Sequence, residues 1–195
     1  MDFYISKEEV VKSLNATLGV VEKRQTLPIL SNVLLEVDES SLKITATDLE
    51  SEISTTSTIS NFKSGGKITA PARKLNDLCR LLPDLTEIHL FLDGDNLKIE
   101  TESGKYNIST LPSEDFPIFE LEEAKSQINI SSKNLKSIIS NTSFAMGNQD
   151  WRHYLNGLYL SVDDKSITAV ATDAHRLALE SATLNEAISE SIDGI

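Results

Sequence analysis

Cysteine is almost missing from this chain of 195 residues: Cys79 stands alone, so no intramolecular disulfide can form. One cysteine and three histidines leave little material for a zinc site. Long apolar runs are missing as well. No stretch approaches the length needed to cross a bilayer, and Met1-Asp2-Phe3-Tyr4 lacks a basic segment leading into an apolar one. These absences set the expectation of a cytoplasmic protein without cofactor or metal. Neither a Gly-x-Ser-x-Gly elbow nor a glycine-rich phosphate loop occurs. Asp173 and His175 lie too close in sequence to make a convincing hydrolase pair, and no independent active site is expected. Positive charge is in deficit too, with 18 Lys and Arg against 30 Asp and Glu and a net charge of −12. That excludes a protein that coats nucleic acid with its whole surface, but not one that touches it with a small face.

What is present is an ordinary globular composition, 39% hydrophobic and 25% charged, and an internal repeat. A shift of 125 residues places Ile5-Ser6 on Ile130-Ser131, Val10 on Leu135 and Leu14 on Ile139. It also places Leu30 on Leu155, Val33 on Leu158, Leu35 on Leu160 and Val37-Asp38 on Val162-Asp163. Ala46-Thr47-Asp48 then falls on Ala171-Thr172-Asp173. A weaker repeat at 55 residues relates Leu35-Glu36-Val37-Asp38 and Leu42-Lys43-Ile44 to Leu90-Phe91-Leu92-Asp93 and Leu97-Lys98-Ile99.

Each copy of the weaker repeat follows a stretch with helical spacing. Val10, Val11 and Leu14 form the first, opened by Ser6 as N-cap with Glu9 three residues on. Leu75, Leu78, Leu81 and Leu82 form the second, entered through Pro71 and stopped by Pro83. Alternation at Val33, Leu35 and Val37, and hairpin signals at Asp93-Gly94-Asp95-Asn96 and Ser103-Gly104, predict antiparallel strands. The expected class is α+β: strand-helix-meander units, repeated, with helices on one face of the sheet. Residues 1–122 form the first domain on this reading. Residues 112–125 suit a linker, and a second, incomplete domain covers 127–195. The chain is then expected to be part of something longer; a naturally short protein that covers its open side by oligomerising is the alternative.

Several strings resemble bacterial DNA sliding clamps, the β subunit of DNA polymerase III. They are Arg24-Gln25-Thr26-Leu27-Pro28-Ile29-Leu30-Ser31-Asn32, Ala46-Thr47-Asp48-Leu49-Glu50, Pro71-Ala72-Arg73-Lys74, Leu111-Pro112 and Asp115-Phe116-Pro117. Gln149-Asp150, Tyr154-Leu155-Asn156-Gly157 and Ala171-Thr172-Asp173-Ala174-His175-Arg176-Leu177-Ala178 follow in the family's order. The resemblance implies the DNA-clamp fold with three similar domains, the third absent here. Two chains would close head to tail as a homodimeric ring on double-stranded DNA, without sequence preference. Such a clamp performs no chemistry itself; nucleotidyl transfer belongs to the polymerase it tethers. The implied partners are the DNA polymerase III α subunit and the clamp-loader subunits, which bind through short peptide motifs.

The resemblance also implies site residues. DNA contact maps to Arg24, Arg73, Gln149, Arg152, His153 and Tyr154, several of which could instead be turn residues with satisfied hydrogen bonds. The peptide-binding pocket maps to Leu155, Thr172, Ala174, His175, Arg176 and Leu177, and the ring interface to Lys74, Leu78, Tyr106 and Ile108. Leu78 and Ile108 could equally be core. Trp151, His153 and Ala174 depart from the family's pattern, which favours an aliphatic residue, a second tyrosine and glycine there. Lys7, Lys12, Lys23, Arg80, Lys133 and Lys136 also lie on or beside the three expected helices, an arrangement that would reconcile an acidic chain with a DNA partner. A module that borrowed clamp domains without forming a ring remains a rival.

Overall fold

Ser6 starts the first helix: its hydroxyl accepts the Glu9 backbone N–H at 3.4 Å, satisfying one of the free donors of the first turn. The computed structural model describes residues 1–21, 27–119, 128–188 and 191–193. These fall into two compact units, Met1–Leu121 and Glu122–Ile195, each taken by itself below.

In the first unit the chain runs β1 (Asp2–Ser6), α1 (Lys7–Thr17), β2 (Asn32–Val37), β3 (Ser41–Thr47), β4 (Glu52–Thr58) and β5 (Asn61–Ser64). It then repeats the pattern as β6 (Gly66–Pro71), α2 (Ala72–Leu81), β7 (Glu87–Asp93), β8 (Asn96–Thr101) and β9 (Gly104–Ser109). Two antiparallel sheets result, ordered β4-β3-β2-β6 and β5-β1-β7-β8-β9. The opening strand of each half therefore pairs in the sheet of the other. β1 lies against β7, with Phe3 opposite Leu90, and β6 lies against β2, with Ala70 opposite Val33. The closing segments match: β5 returns to β1, and Leu111 returns to Thr69 through backbone hydrogen bonds of 3.2 and 3.3 Å.

The two halves differ in one connection. Residues 18–31 separate α1 from β2, whereas residues 82–86 suffice between α2 and β7. This is why the offset of 55 that aligns the strands does not align the helices. α1 and α2 pack on each other and on the β4-β3-β2-β6 sheet, and one core runs through both sheets. Phe3, Ile5, Leu14, Ile44, Leu75, Ile88, Leu97 and Cys79 are fully or almost fully buried there. Phe116, inside the stretch read as a linker, is buried as well. Leu81, expected on the apolar face of the second helix, is 87% exposed, because the helix ends there and Leu82 turns inward instead.

The second unit repeats the first at the constant offset. α3 (Ser132–Thr142) matches α1, and Ser131 caps it through the Asn134 N–H at 3.2 Å. Thr142, buried like Thr17, donates its hydroxyl to Ile138 O at 2.7 Å, as Thr17 does to Ser13 O at 3.3 Å. β10 (Tyr159–Asp163), β11 (Ser166–Thr172) and β12 (Leu177–Thr183) match β2, β3 and β4. β13 (Ile192–Asp193) pairs Ile192 with Val162, the place Gly66 takes opposite Val37, so it occupies the position of the start of β6. Ile130-Ser131, the match of β1, is not a strand, since no partners equivalent to β5 and β7 occur among the described residues. The restart expected at Gln127 lies outside the described residues.

Candidate nucleic-acid interface

The connection between the first helix and the next strand carries most of the expected DNA contacts, and the repeat places the matching positions in both units. Gln149 is the match of Arg24, which lies outside the described residues. In the second unit this connection is a tightly held loop. Gly147 N donates to Leu155 O at 2.8 Å, Asp150 N to Asn156 Oδ1 at 3.0 Å, and Asn156 Nδ2 to Asp150 O at 2.9 Å. Leu155 is buried beneath it, as its match Leu30 is in the first unit. Gln149 sits at the bend with φ of 55°, a left-handed conformation that a residue with Cβ adopts only when its surroundings impose it.

Arg152 is already paired. Its Nε donates to Asp150 Oδ1 at 3.1 Å and its Nη2 to Asp150 Oδ2 at 2.9 Å, a two-pronged contact reinforced by the Arg152 backbone N–H at 2.9 Å. The guanidinium and its hydrogen bonds pull the Asp150 carboxyl down to about 2. His153 and Tyr154 stand on the short turn His153–Leu155, and both are exposed. Trp151 is 82% exposed, with the Arg152 guanidinium 5.8 Å from its ring centre. The expected set Gln149, Arg152, His153 and Tyr154 thus shares one loop. Arg73 belongs to the first unit, on α2, where its Nη2 donates to Val21 O at 2.7 Å.

The turn between β11 and β12 gathers Thr172, Ala174, His175, Arg176 and Leu177. Thr172 Oγ1 accepts the Ala174 N–H at 3.0 Å and donates to Arg176 O at 2.7 Å. Asp173 Oδ1 accepts the backbone N–H of His175 and of Arg176, both at 2.9 Å, which hold its carboxyl below the usual range. Asp173 is therefore a turn-forming acid with its oxygens engaged. Arg176 closes the turn through Nε to Asp173 Oδ2 at 3.0 Å and lies over Phe144. Ala174 has φ of 72°, in the left-handed region that favours glycine.

Comparison with known proteins gives this geometry a family. Residues 1–120 match the family model described as DNA polymerase III beta subunit, N-terminal domain, and residues 129–195 match that of the central domain. The chain belongs to the DNA polymerase III β-subunit family. A protein named beta sliding clamp from Pseudomonas putida is 44% identical over 179 residues, covering 92% of this chain and 49% of that protein. The beta sliding clamp of Vibrio cholerae is 40% identical over 184 residues, covering 94% and 50%. The crystal structure of the DNA polymerase III subunit beta from Pseudomonas aeruginosa superposes with a TM-score of 0.90 at 40% identity, over 98% of this chain and 52% of that one. The sliding clamp of Caulobacter crescentus gives 0.90 at 35% identity, over 100% and 54%. The chain spans about half the length of the curated relatives it matches.

The remaining β-subunit expectations divide by burial. Lys74 and Tyr106 are exposed on α2 and β9, and Leu78 is partly buried against the core. Ile108 lies in the core with 6% of its surface exposed, its side of β9 facing inward opposite Leu97, which is the alternative left open for it in the sequence. Lys7 is also removed from the free basic set. Its side chain is 13% exposed, and its ammonium donates to Leu82 O at 2.6 Å and Asp84 at 2.7 Å, stapling α1 to the end of α2. No group of three or more His, Cys, Asp or Glu able to hold a metal occurs among the described residues, and no described helix is long and apolar enough to cross a membrane. Sequence reading missed the pairing of Arg152 with Asp150 and the bracing by Asn156. An Asp two residues before an Arg was the available signal for the first; the second had none.

Proposed function

We propose that this chain supplies the N-terminal domain and part of the central domain of a ring-shaped sliding clamp of the bacterial replicase, in the cytoplasm. The ring encircles duplex DNA and tethers DNA polymerase III to it without chemistry of its own. The observation that carries this reading is the repetition of one unit at a fixed offset, down to its caps, loop anchor and turn, in a chain of the β-subunit family. Enclosure replaces affinity in such a ring, so a few light, sequence-independent contacts suffice. Arg24, Arg73, Gln149, Arg152, His153 and Tyr154 make them. Leu155, Thr172, Ala174, His175, Arg176 and Leu177 form one wall of a pocket for short peptide motifs of the polymerase α subunit and the clamp loader. An apolar anchor rimmed by His and Arg suits that task. A Pseudomonas aeruginosa sliding clamp has been solved bound to griselimycin. Lys74, Leu78 and Tyr106 face the partner subunit of the ring, with Ile108 supporting the strand from inside.

The test is the oligomeric mass of the natural protein together with its retention on DNA. A dimer that stays on nicked circular DNA and runs off when the circle is cut is the expected result. A monomer that leaves both forms equally fast overturns the ring.

A further inference from the structure

Asn156-Gly157 is the only Asn-Gly pair in the sequence. Glycine after asparagine leaves the peptide nitrogen unshielded and the chain free to turn, so that nitrogen can reach the asparagine side chain. Nothing in the fold demands glycine at 157. A Cβ built there meets none of the described residues within 4 Å, the backbone lies outside the left-handed region, and the residue is exposed to water. The matching positions of the first unit are Ser31 and Asn32, so the pair is peculiar to the second.

Asn156 is held away from its neighbour. Its Oδ1 accepts the Asp150 N–H at 3.0 Å, and its Nδ2 donates to Asp150 O at 2.9 Å. Its own backbone N–H donates to His153 O at 3.0 Å. With ψ of 7°, the Gly157 nitrogen is turned away from the Asn156 side chain, and ring closure needs that bond to rotate. The loop must therefore open first. Asp150 restrains the opening, because its carboxylate grips both the guanidinium and the backbone N–H of Arg152.

We propose that Asn156 is a site of spontaneous hydrolytic modification gated by this loop: the closed brace protects the amide, and the open loop exposes it to Gly157. The Gly157 nitrogen releases its proton to water and attacks Asn156 Cγ. The Cγ–Nδ2 bond breaks, and the departing nitrogen takes up a proton from water and leaves as ammonia. A second water opens the succinimide at either carbonyl, giving aspartate or isoaspartate. Either product places an acceptor where Nδ2 donated, so the bond to Asp150 O is lost. Isoaspartate also lengthens the backbone within the loop. Ammonia does not return, so each opening that reacts leaves the brace permanently undone.

The experiment incubates the full chain and follows the tryptic peptide 153–165 by mass spectrometry, with isoaspartate measured in the same peptide; Asn156 is its one asparagine. Native protein converts roughly tenfold or more slowly than the chain held unfolded in urea. Asp150→Ala raises the native rate roughly two- to tenfold and leaves the rate in urea unchanged. Amide exchange along β10 and β11 shows whether that variant keeps its fold. Should it unfold, Arg152→Lys decides, since it keeps the cleavage site, loses the two-pronged grip and also raises the native rate. Gly157→Ala, which the open space accepts, all but abolishes isoaspartate formation in both states. Conversion as fast in the native chain as in urea overturns the gate, and absence of conversion in urea overturns the site. A native rate that a folded variant with the grip removed leaves unchanged overturns the role given to Asp150 and with it the proposal.

Discussion

α1 and α3 are the same helix twice, with the same length, a serine cap each and a buried threonine near the end, yet their apolar faces meet different surroundings. Val10 and Leu14 are buried to 1% and 0%, whereas their matches Leu135 and Ile139 stay 36% and 40% exposed. The first helix lies against α2; the third has no second helix beside it among the described residues. Apolar spacing therefore tells which face of a helix seeks burial, and the neighbouring elements decide whether it is granted.

Substitution sharpens that contrast. Leu14→Ala is expected to lower the stability of the first unit by about 2–5 kcal/mol, while Ile139→Ala costs the second unit about 1 kcal/mol. Each unit carries its own probe for denaturant unfolding. Cys79 in the first unit has its thiol pushed up to about 12 by burial, so it resists labelling until the unit opens. Amide exchange along β10 and β11 reports the second. Equal losses for the two variants would mean that the α3 face is covered in solution and would break the comparison.

The helix-to-strand connections are the next contrast. Asn156 braces the second-unit loop through two hydrogen bonds, whereas the matching residue of the first unit is Ser31. Asn156→Ala should cost the loop about 1–3 kcal/mol, read as faster amide exchange at Asp150 with little change elsewhere. The turns offer a smaller test. Leu49 and Ala174 share left-handed backbones, with φ of 75° and 72°, and each donates its N–H to the threonine two residues before at 3.0 Å. Glycine at either position should stabilise its unit by about 0.5–1 kcal/mol, seen as a higher unfolding midpoint. If only one of the pair responds, the two turns differ in strain despite their shared geometry.

The smallest expected effect is a titration confined to the second unit. Asp150 has a folded pKa lowered to about 2, so the loop's stabilisation is fully present above the ordinary carboxylate value of about 3.9 and is lost as pH falls through about 2. Trp151 emission should follow that window. Gln25, the match of Asp150, cannot titrate, so nothing comparable is expected from it. Emission that shifts near pH 4 instead would show Arg152 released from Asp150.

The 125-residue repeat, the serine caps and the Asp93–Asn96 hairpin were legible because each is a local pattern. The strands β4 and β5 were not, since Ser and Thr dominate β4 and leave no apolar alternation to follow. The exchange of β1 and β6 between sheets was hidden for another reason: periodicity marks a strand but not its neighbour. At the candidate site, the resemblance named the loop and the turn. It did not reveal that Lys7 is occupied by Leu82 O and Asp84, or that Asp150 already holds Arg152, because such pairings depend on side chains meeting in space.

The exchanged opening strand has a consequence for synthesis. β1 is made before its neighbours: its main partner β7 begins at Glu87, and its other neighbour at Asn61. Until those residues have left the ribosome, Phe3 and Ile5 have no sheet to enter, and neither half of the first unit can close alone. The first unit is thus committed to settling late and all at once, and Phe3 and Ile5 stay without sheet partners while translation continues.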